Sequence, residues 1–288
     1  MSTVIEILKK TTVYFEAKGI ENARVDAEWL LAEVLAVPRM EVYLQFDRFL
    51  QNEELDRLRP LVRRRGQDRE PLQYLIGTQP FADVILKVDR RALIPRPETE
   101  ELVEWVVEKT MAHNPTRILD LGCGSGAIAI ALSKKFPQSQ ITAVDSSSDA
   151  LALTQENLLE NQVADRITLV PSDWGEELTG GFNLIVSNPP YLTKSEWEDA
   201  EPEVRLFEPK EALVAEEKGI AHIKKIIQQA PSLLDDQGYL FLETGIDHQE
   251  AVENLFSQNP WGMFETKRDI HHRFRYAMGK KGFTGSHQ

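Results

Sequence analysis

The chain of 288 residues has one cysteine, Cys123, which excludes an intramolecular disulfide and a Cys-rich zinc site. Histidine is also scarce. The six histidines form no His-x-x-x-His pair, so no metal site is expected. No run of about 18 apolar residues occurs, and no segment is expected to span a membrane. Basic residues are in deficit, 33 Lys+Arg against 46 Asp+Glu for a net charge of −13. That balance argues against stable binding to DNA or RNA, which rests on phosphate neutralisation, while leaving nucleic acid open as a substrate. Arginine is absent before Arg24, and Lys9 and Lys10 follow the apolar patch Val4–Leu8, the reverse of a secretory leader. A cytoplasmic protein is expected. What remains is an ordinary globular composition, 42% hydrophobic and 27% charged, in a length suited to one large or two modest domains.

The charge divides unevenly. Residues 1–80 carry 12 basic and 13 acidic side chains, a net of −1, whereas residues 81–288 carry 21 and 33, a net of −12. The first part reads as helices: Val4, Ile5, Leu8, Thr12 and Phe15 recur at helical spacing, as do Ala27, Leu30, Leu31, Val34 and Leu35. A third helix is expected over Glu53–Arg69. Its polar side carries Arg57, Arg59, Arg63, Arg64, Arg65 and Arg69, which reads either as a solvated surface or as a docking face for an acidic partner. Between Gln73 and Ile94 short β-like runs alternate with turn residues and predict a linking hairpin. A helix is expected from Pro97, with Glu98, Glu100 and Glu101 near its positive end. From Thr116 strands and helices alternate: strands at Arg117–Leu121, Gln140–Asp145, Ile167–Val170, Phe182–Ser187 and Tyr239–Glu243, and helices at Ser125–Phe136, Ser147–Glu160 and Ile220–Leu234. Alternation of this kind predicts an α/β fold with a mostly parallel sheet covered on both faces and a ligand at the carboxyl ends of its strands. Two closing strands are expected within Trp261–Met278, and the acidic run Glu196–Glu203 reads as a solvated face or a mobile loop beside the substrate.

Asp120-Leu121-Gly122-Cys123-Gly124-Ser125-Gly126 places glycines where a buried strand turns into a helix, so that backbone can approach a ligand closely. Asp145 ends the next strand, where a carboxylate is placed to accept hydrogen bonds from a ribose diol. Gly122, Gly124 and Ala127 also satisfy the relaxed dinucleotide pattern, so an NAD-type reading stays open. Asp120 favours S-adenosylmethionine, because a carboxylate there can hold an ammonium group and would repel a pyrophosphate. Cys123 reads as a small packing residue of this loop, without a partner that would make it a nucleophile.

The strand Phe182–Ser187 ends in Asn188-Pro189-Pro190-Tyr191. Two prolines fix the backbone and remove two N–H donors, leaving a rigid loop rich in acceptors. The Asn188 side chain and the Pro189 carbonyl can together accept both hydrogens of an –NH2 group, and Tyr191 offers a face for a planar group. An amide or aromatic amine nitrogen is a poor nucleophile, because its lone pair is delocalised. Two acceptors aimed at its hydrogens orient it and favour the charge-developing transition state of methyl transfer.

Together these residues resemble the PrmC/HemK family of protein-(glutamine-N5) methyltransferases, which modify peptide chain release factors. The likeness spans nearly the whole chain: Pro71-Leu72-Gln73-Tyr74-Leu75-Ile76-Gly77, then Leu93-Ile94-Pro95-Arg96-Pro97-Glu98-Thr99-Glu100, the glycine loop, Asp145, Asn188–Tyr191, and Glu208-Pro209-Lys210-Glu211-Ala212-Leu213 in family order. Asn-Pro-Pro-Tyr is shared with nucleic-acid amino-methyltransferases acting on adenine or guanine; the Pro-Leu-Gln-Tyr and Ile-Pro-Arg-Pro-Glu-Thr-Glu segments are more specific. The chain departs from the pattern at Glu216 and in Asp269-Ile270-His271-His272-Arg273, where the family often carries glycine.

The resemblance implies a Rossmann-like methyltransferase domain with a mostly parallel seven-stranded sheet, preceded by a small helical domain and a linking β-hairpin. It divides the chain into 1–72, which docks the substrate protein, a 73–95 hairpin, a 96–281 cofactor domain and a 282–288 tail. It implies that Asp120, Gly122, Cys123, Gly124, Ser125, Gly126, Asp145, Trp174 and Asn188 bind S-adenosylmethionine, with Trp174 beside the adenine. Asn188, Pro189, Pro190 and Tyr191 would hold the glutamine of the Gly-Gly-Gln loop of a class 1 release factor, with Asn188, Pro189 and Tyr191 carrying the catalysis. No metal is implied.

Overall fold

A computed structural model describes residues 2–258 and 260–283; of the expected 282–288 tail, residues 284–288 lie outside the described residues. In chain order the elements are α1 (Val4–Ala17), α2 (Ala23–Leu35), α3 (Asn52–Gly66), α4 (Leu72–Ile76), β1 (Thr78–Phe81), β2 (Val84–Lys87), α5 (Pro97–Thr110), β3 (Arg117–Leu121), α6 (Ala127–Lys135), β4 (Gln140–Asp145), α7 (Ser148–Glu160), β5 (Ile167–Pro171), β6 (Phe182–Ser187), α8 (Lys194–Asp199), α9 (Pro202–Phe207), α10 (Ala221–Leu233), β7 (Leu234–Glu243), α11 (Gln249–Ser257), β8 (Trp261–Arg268) and β9 (Phe274–Lys281). They form two compact units, one of Met1–Thr78 with Glu201–Phe207 and one of Gln79–Ala200 with Glu208–Gln288.

The first unit is helical. A capping box closes the start of α1: Thr3 accepts from the Glu6 N–H, and the Glu6 carboxylate accepts from the Thr3 N–H. Leu8 and Phe15 of α1 join Leu30 and Leu31 of α2 and Leu58 of α3 in one buried cluster. Each such side chain contributes roughly 1.5–3 kcal/mol, so the cluster outweighs surface ion pairs of about 0–1 kcal/mol. The expected arginine face holds only in part: Arg57, Arg59, Arg63 and Arg64 are exposed, whereas Arg65 is buried. The helix stops at Gly66, and Arg69 lies beyond it with φ of 60°. Arg57 donates to the Val34 carbonyl at 2.5 Å, and Arg64 grips the Glu70 carboxylate at 2.7 and 2.8 Å. Arg65, nearly buried, bridges Asp26 and Glu203 at 2.7 Å each, and Arg69 donates to Glu203 at 2.7 and 2.9 Å. Burial of Arg65 requires partners, and these carboxylates supply them. Glu203 accordingly leaves the expected solvated acidic run. The expected β-like run from Gln73 is also corrected. Leu72–Ile76 is a short helix that buries Tyr74 and Leu75 and ends at Gly77 with φ of 83°; the two-stranded ribbon occupies only β1 and β2.

The second unit holds a seven-stranded sheet in the order β5-β4-β3-β6-β7-β9-β8. β5, β4, β3, β6 and β7 run parallel, and β9 lies antiparallel to β7 and to β8. The central strands are apolar because helices cover both faces, so Leu119, Leu121, Ile185, Leu240 and Leu242 are fully buried. β7 begins at Leu234, earlier than the apolar run from Tyr239 indicates. α5 is fixed by Trp105, which is fully buried edge-on against Phe241 of β7 with centroids 5.1 Å apart. The turn between β8 and β9 manages without glycine. The Asp269 carboxylate accepts from the N–H groups of His271 and Arg273 at 2.9 Å, and His272 takes φ of 62°.

Candidate active site

Strand order reverses at β3, with β4 on one side and β6 on the other, which opens a crevice above its carboxyl end. Register decides what stands there. Leu121 pairs with Val144 in β4 and with Ser187 in β6. The next residues, Gly122, Asp145 and Asn188, therefore emerge side by side at one level.

The glycine loop is held by its neighbours. The N–H groups of Gly122 and Cys123 both donate to the Val144 carbonyl, at 2.8 and 2.9 Å. The Gly124 N–H donates to Asp145 Oδ2 at 2.9 Å, and the Ser147 N–H donates to Asp145 Oδ1 at 2.9 Å. Gly122 has φ of 74°, and a Cβ there would stand 3.3 Å from the Trp174 ring. Gly126, with φ of 82°, would place a Cβ 2.7 Å from Thr154 Cγ2. Both positions therefore need glycine for conformation and for space. The Cys123 thiol is buried 3.7 Å from Thr154 Oγ1, and burial pushes its pKa well up, which fits packing rather than nucleophilic chemistry.

Asp120 is fully buried below the loop. Its Oδ2 accepts from the Ala129 N–H at 3.0 Å, capping α6, while Oδ1 is buried without a partner. Burial pushes its pKa up to about 7, the Ala129 hydrogen bond opposing and the Asp145 charge adding to the shift. An orphaned carboxylate oxygen beneath the crevice fits an ammonium group or a water that relays to one.

Asn188 is fixed by a chain of hydrogen bonds. Its Nδ2 donates to Thr99 Oγ1 at 2.9 Å, and that hydroxyl donates to Glu243 Oε2 at 2.7 Å. The Tyr191 hydroxyl donates to Glu243 Oε1 at 3.0 Å, and the Arg275 guanidinium lies 5.6 Å from the Tyr191 ring centroid. Burial pushes the pKa of Glu243 upward, while the Thr99 and Tyr191 hydroxyls pull it down. Burial also raises that of Tyr191, so its hydroxyl stays protonated.

A cavity of about 750 Å³ collects these groups. Of the residues expected from sequence, Gly122, Cys123, Gly124, Ser125, Asp145, Trp174, Asn188 and Pro190 line it. Asp120, Gly126, Pro189 and Tyr191 do not, and each absence has a physical reason. Asp120 caps α6 from below, Gly126 turns against Thr154, the Pro189 residue is buried, and Tyr191 directs its hydroxyl to Glu243. The Tyr191 hydroxyl is thus a member of the supporting network. Thr99, Arg96, Glu216 and His222 line the cavity without having been singled out as site residues. Thr99 and Arg96 lie within the Ile-Pro-Arg-Pro-Glu-Thr-Glu segment, which was the available signal; His222, 5.2 Å from Trp174 by ring centroids, had none. Burial lowers the pKa of His222 and favours its neutral form. Arg96 is tied to Glu208, whose other oxygen accepts from the Ile94 N–H at 3.1 Å. Among the described residues no cluster of three His, Cys, Asp or Glu side chains could hold a metal ion.

Residues 6–77 match the family described as PrmC N-terminal domain, and residues 99–214 match that described as Methyltransferase small domain. The release factor glutamine methyltransferase of Geobacter sulfurreducens is 39% identical over 281 residues, covering 97% of each chain. The MTRF1L release factor glutamine methyltransferase of Homo sapiens is 37% identical over 275 residues, 90% of this chain and 81% of that protein. Among solved structures, the hMettl16 catalytic domain in complex with MAT2A 3′UTR hairpin 6 is similar with a TM-score of 0.56, at 16% identity over 81% of this chain and 83% of that one, a likeness of fold alone. With the whole length matched at this identity, the chain belongs to the release factor glutamine methyltransferase family.

Proposed function

We propose that this protein transfers the methyl group of S-adenosyl-L-methionine to the side-chain amide nitrogen of the glutamine in the Gly-Gly-Gln motif of class 1 peptide chain release factors. The products are N5-methylglutamine and S-adenosyl-L-homocysteine. The observation that carries this reading is the register, which sets Asn188 level with Gly122 and Asp145 at the mouth of one cavity. An amide acceptor then faces the place where the glycine loop holds the methyl donor.

When bound, S-adenosylmethionine supplies an electrophilic methyl on a sulfonium. Asp145 would accept from the ribose diol with lone pairs left after its two backbone contacts. Gly122, Cys123, Gly124 and Ser125 line the cavity, as does Trp174, which would stand beside the adenine. The orphaned oxygen of Asp120, which lies below the cavity lining, would accept from the ammonium by way of a water. Asn188 Oδ1 and the Pro189 carbonyl accept the two hydrogens of the glutamine amide. This aligns the nitrogen for in-line attack and stabilises the charge that develops on it before its proton leaves to solvent. Pro190 lines the cavity beside them, and Tyr191 supports the loop from behind. No metal takes part.

The region 1–72 docks the rest of the release factor, 73–95 links it onward, and 96–281 carries the chemistry. The protein works in the cytoplasm, with neither stable nucleic-acid binding nor membrane attachment. Among the described residues no helix is long and apolar enough to cross a membrane. A filter assay with tritiated S-adenosylmethionine, comparing release factor, rRNA and DNA, tests the assignment, followed by mass spectrometry of the Gly-Gly-Gln peptide. A gain of one methyl on that glutamine is expected. Label on nucleic acid alone would replace this reading with that of a nucleic-acid amino-methyltransferase.

A further inference from the structure

The carbonyl and NH2 ends of an asparagine amide have nearly the same size and opposite hydrogen-bonding sense. A site that uses the Asn188 carbonyl as an acceptor therefore needs something to choose which end faces the substrate. The Thr99 hydroxyl has one proton and gives it to Glu243 Oε2 at 2.7 Å. Toward Asn188 it is then an acceptor, and Asn188 Nδ2 donates to it at 2.9 Å. The other carboxylate oxygen accepts from the Tyr191 hydroxyl at 3.0 Å. As a carboxylate, Glu243 accepts on both oxygens; a carboxylic acid would have to donate from one of them. Glu243 and Thr99 are themselves buried, so water does not compete for either position.

We propose that Glu243 and Thr99 are positioning residues for methyl transfer: one directional hydrogen-bond chain holds the Asn188 amide with its carbonyl oxygen toward the substrate. The inference rests on the methyl-transfer reading and adds to it the orientation of the key amide. With the chain cut, the amide is free to turn over, and its NH2 then faces the NH2 of the substrate. Two donors oppose each other, and the substrate nitrogen loses the acceptor that aligns it. Glu243 acts at one remove and Thr99 through Asn188.

The test uses the full chain and four variants, one of them double. Thr99→Val keeps the size of the side chain and removes the hydroxyl; it is expected to lower kcat about 100-fold while the KM for release factor changes by less than about threefold. Thr99→Ser restores the hydroxyl and is expected to return kcat to within about threefold of the wild type. An unchanged kcat in Thr99→Val overturns the proposal, as does failure of Thr99→Ser to recover activity. In an Asn188→Asp background the carboxylate accepts from either oxygen, so Thr99→Val is expected to cost about twofold at most there. An equal 100-fold loss in both backgrounds would make Thr99 a packing residue only. A readout independent of turnover separates this inference from the function itself. In a 1H–15N correlation spectrum, the Asn188 side-chain NH2 pair is identified by its loss in Asn188→Asp. One proton of the pair is expected to be shifted downfield in the wild type and to lose that shift in Thr99→Val; an unaltered pair overturns the hydrogen-bond chain. A wild type that shows the shifted pair yet methylates no release factor refutes the function and leaves the chain standing.

Discussion

The main-chain N–H of Gly124 donates to Asp145 Oδ2 at 2.9 Å, so the carboxylate proposed to meet the ribose also holds the glycine loop. Loss of this side chain should therefore harm the site twice, through the missing acceptor and through a looser loop. Asp145→Ala is expected to weaken S-adenosylmethionine binding about 100-fold by calorimetry, a hydrogen bond to a charged group being worth about 1.5–3 kcal/mol. Asp145→Asn keeps an acceptor for the Gly124 N–H and should lose less. Equal affinities for the two variants would show that the loop does not depend on this bond.

Removal of the Asn188 amide should separate binding from chemistry. Asn188→Ala is expected to retain cofactor affinity within about threefold while kcat falls about 100- to 1,000-fold, the usual loss when a transition-state hydrogen bond is deleted. Single-turnover kinetics with saturating cofactor reads the two quantities apart.

The Asp120 carboxyl gives the protein a pH dependence of known sign. Its pKa is about 7 in the folded state against an ordinary 3.8. The folded state therefore binds the proton more tightly, and stability falls as pH rises from about 4 to about 7. The loss amounts to a few kcal/mol, as an order of magnitude, and is complete above the folded-state value. Thermal unfolding without cofactor should show this decline. Asp120→Asn, which can still accept from the Ala129 N–H, should flatten it, and a variant with the wild-type slope would assign the dependence elsewhere.

In the helical unit, two arginines of one helix should respond very differently to replacement. Arg65 is nearly buried between Asp26 and Glu203, with side-chain exposure of 10%, whereas Arg59 pairs with Asp56 at 68% exposure. Arg65→Met leaves buried Asp26 without its cation, while Glu203 keeps Arg69, and should cost about 3 kcal/mol in urea unfolding. Arg59→Ala should change stability by less than about 0.5 kcal/mol.

The sheet was legible because its information is local. Arg117–Leu121, Gln140–Asp145 and Phe182–Ser187 are short apolar runs with turn chemistry at each end, and the folded strands keep those limits. The loops at their ends carry glycine, acid and amide in plain view. Gln73–Ile76 reads as β-like yet belongs to the helix Leu72–Ile76, since five residues give too little periodicity to separate a short helix from a strand. The fate of the arginines was hidden for another reason. Glu203 lies 138 residues from Arg65 along the chain, and no spacing rule connects them. Thr99 and Glu243, likewise separated by 144 residues, meet where α5 packs on β7, with Trp105 against Phe241. Asp145 and Asn188 stand in segments that the sequence marks, whereas Glu243 and His222 stand in none.

The stretch Glu201–Phe207 belongs to the helical unit although it follows Asn188–Tyr191 in the chain. A fragment ending at residue 78 would lack Glu203, and Arg65 and Arg69 would lose the carboxylate that both of them grip. The helical unit is therefore no detachable cassette. Gene fusion or domain exchange that treats the first 78 residues as a module should yield poorly folded product. A successful transplant would have to carry a seven-residue passage from the middle of the gene along with the beginning.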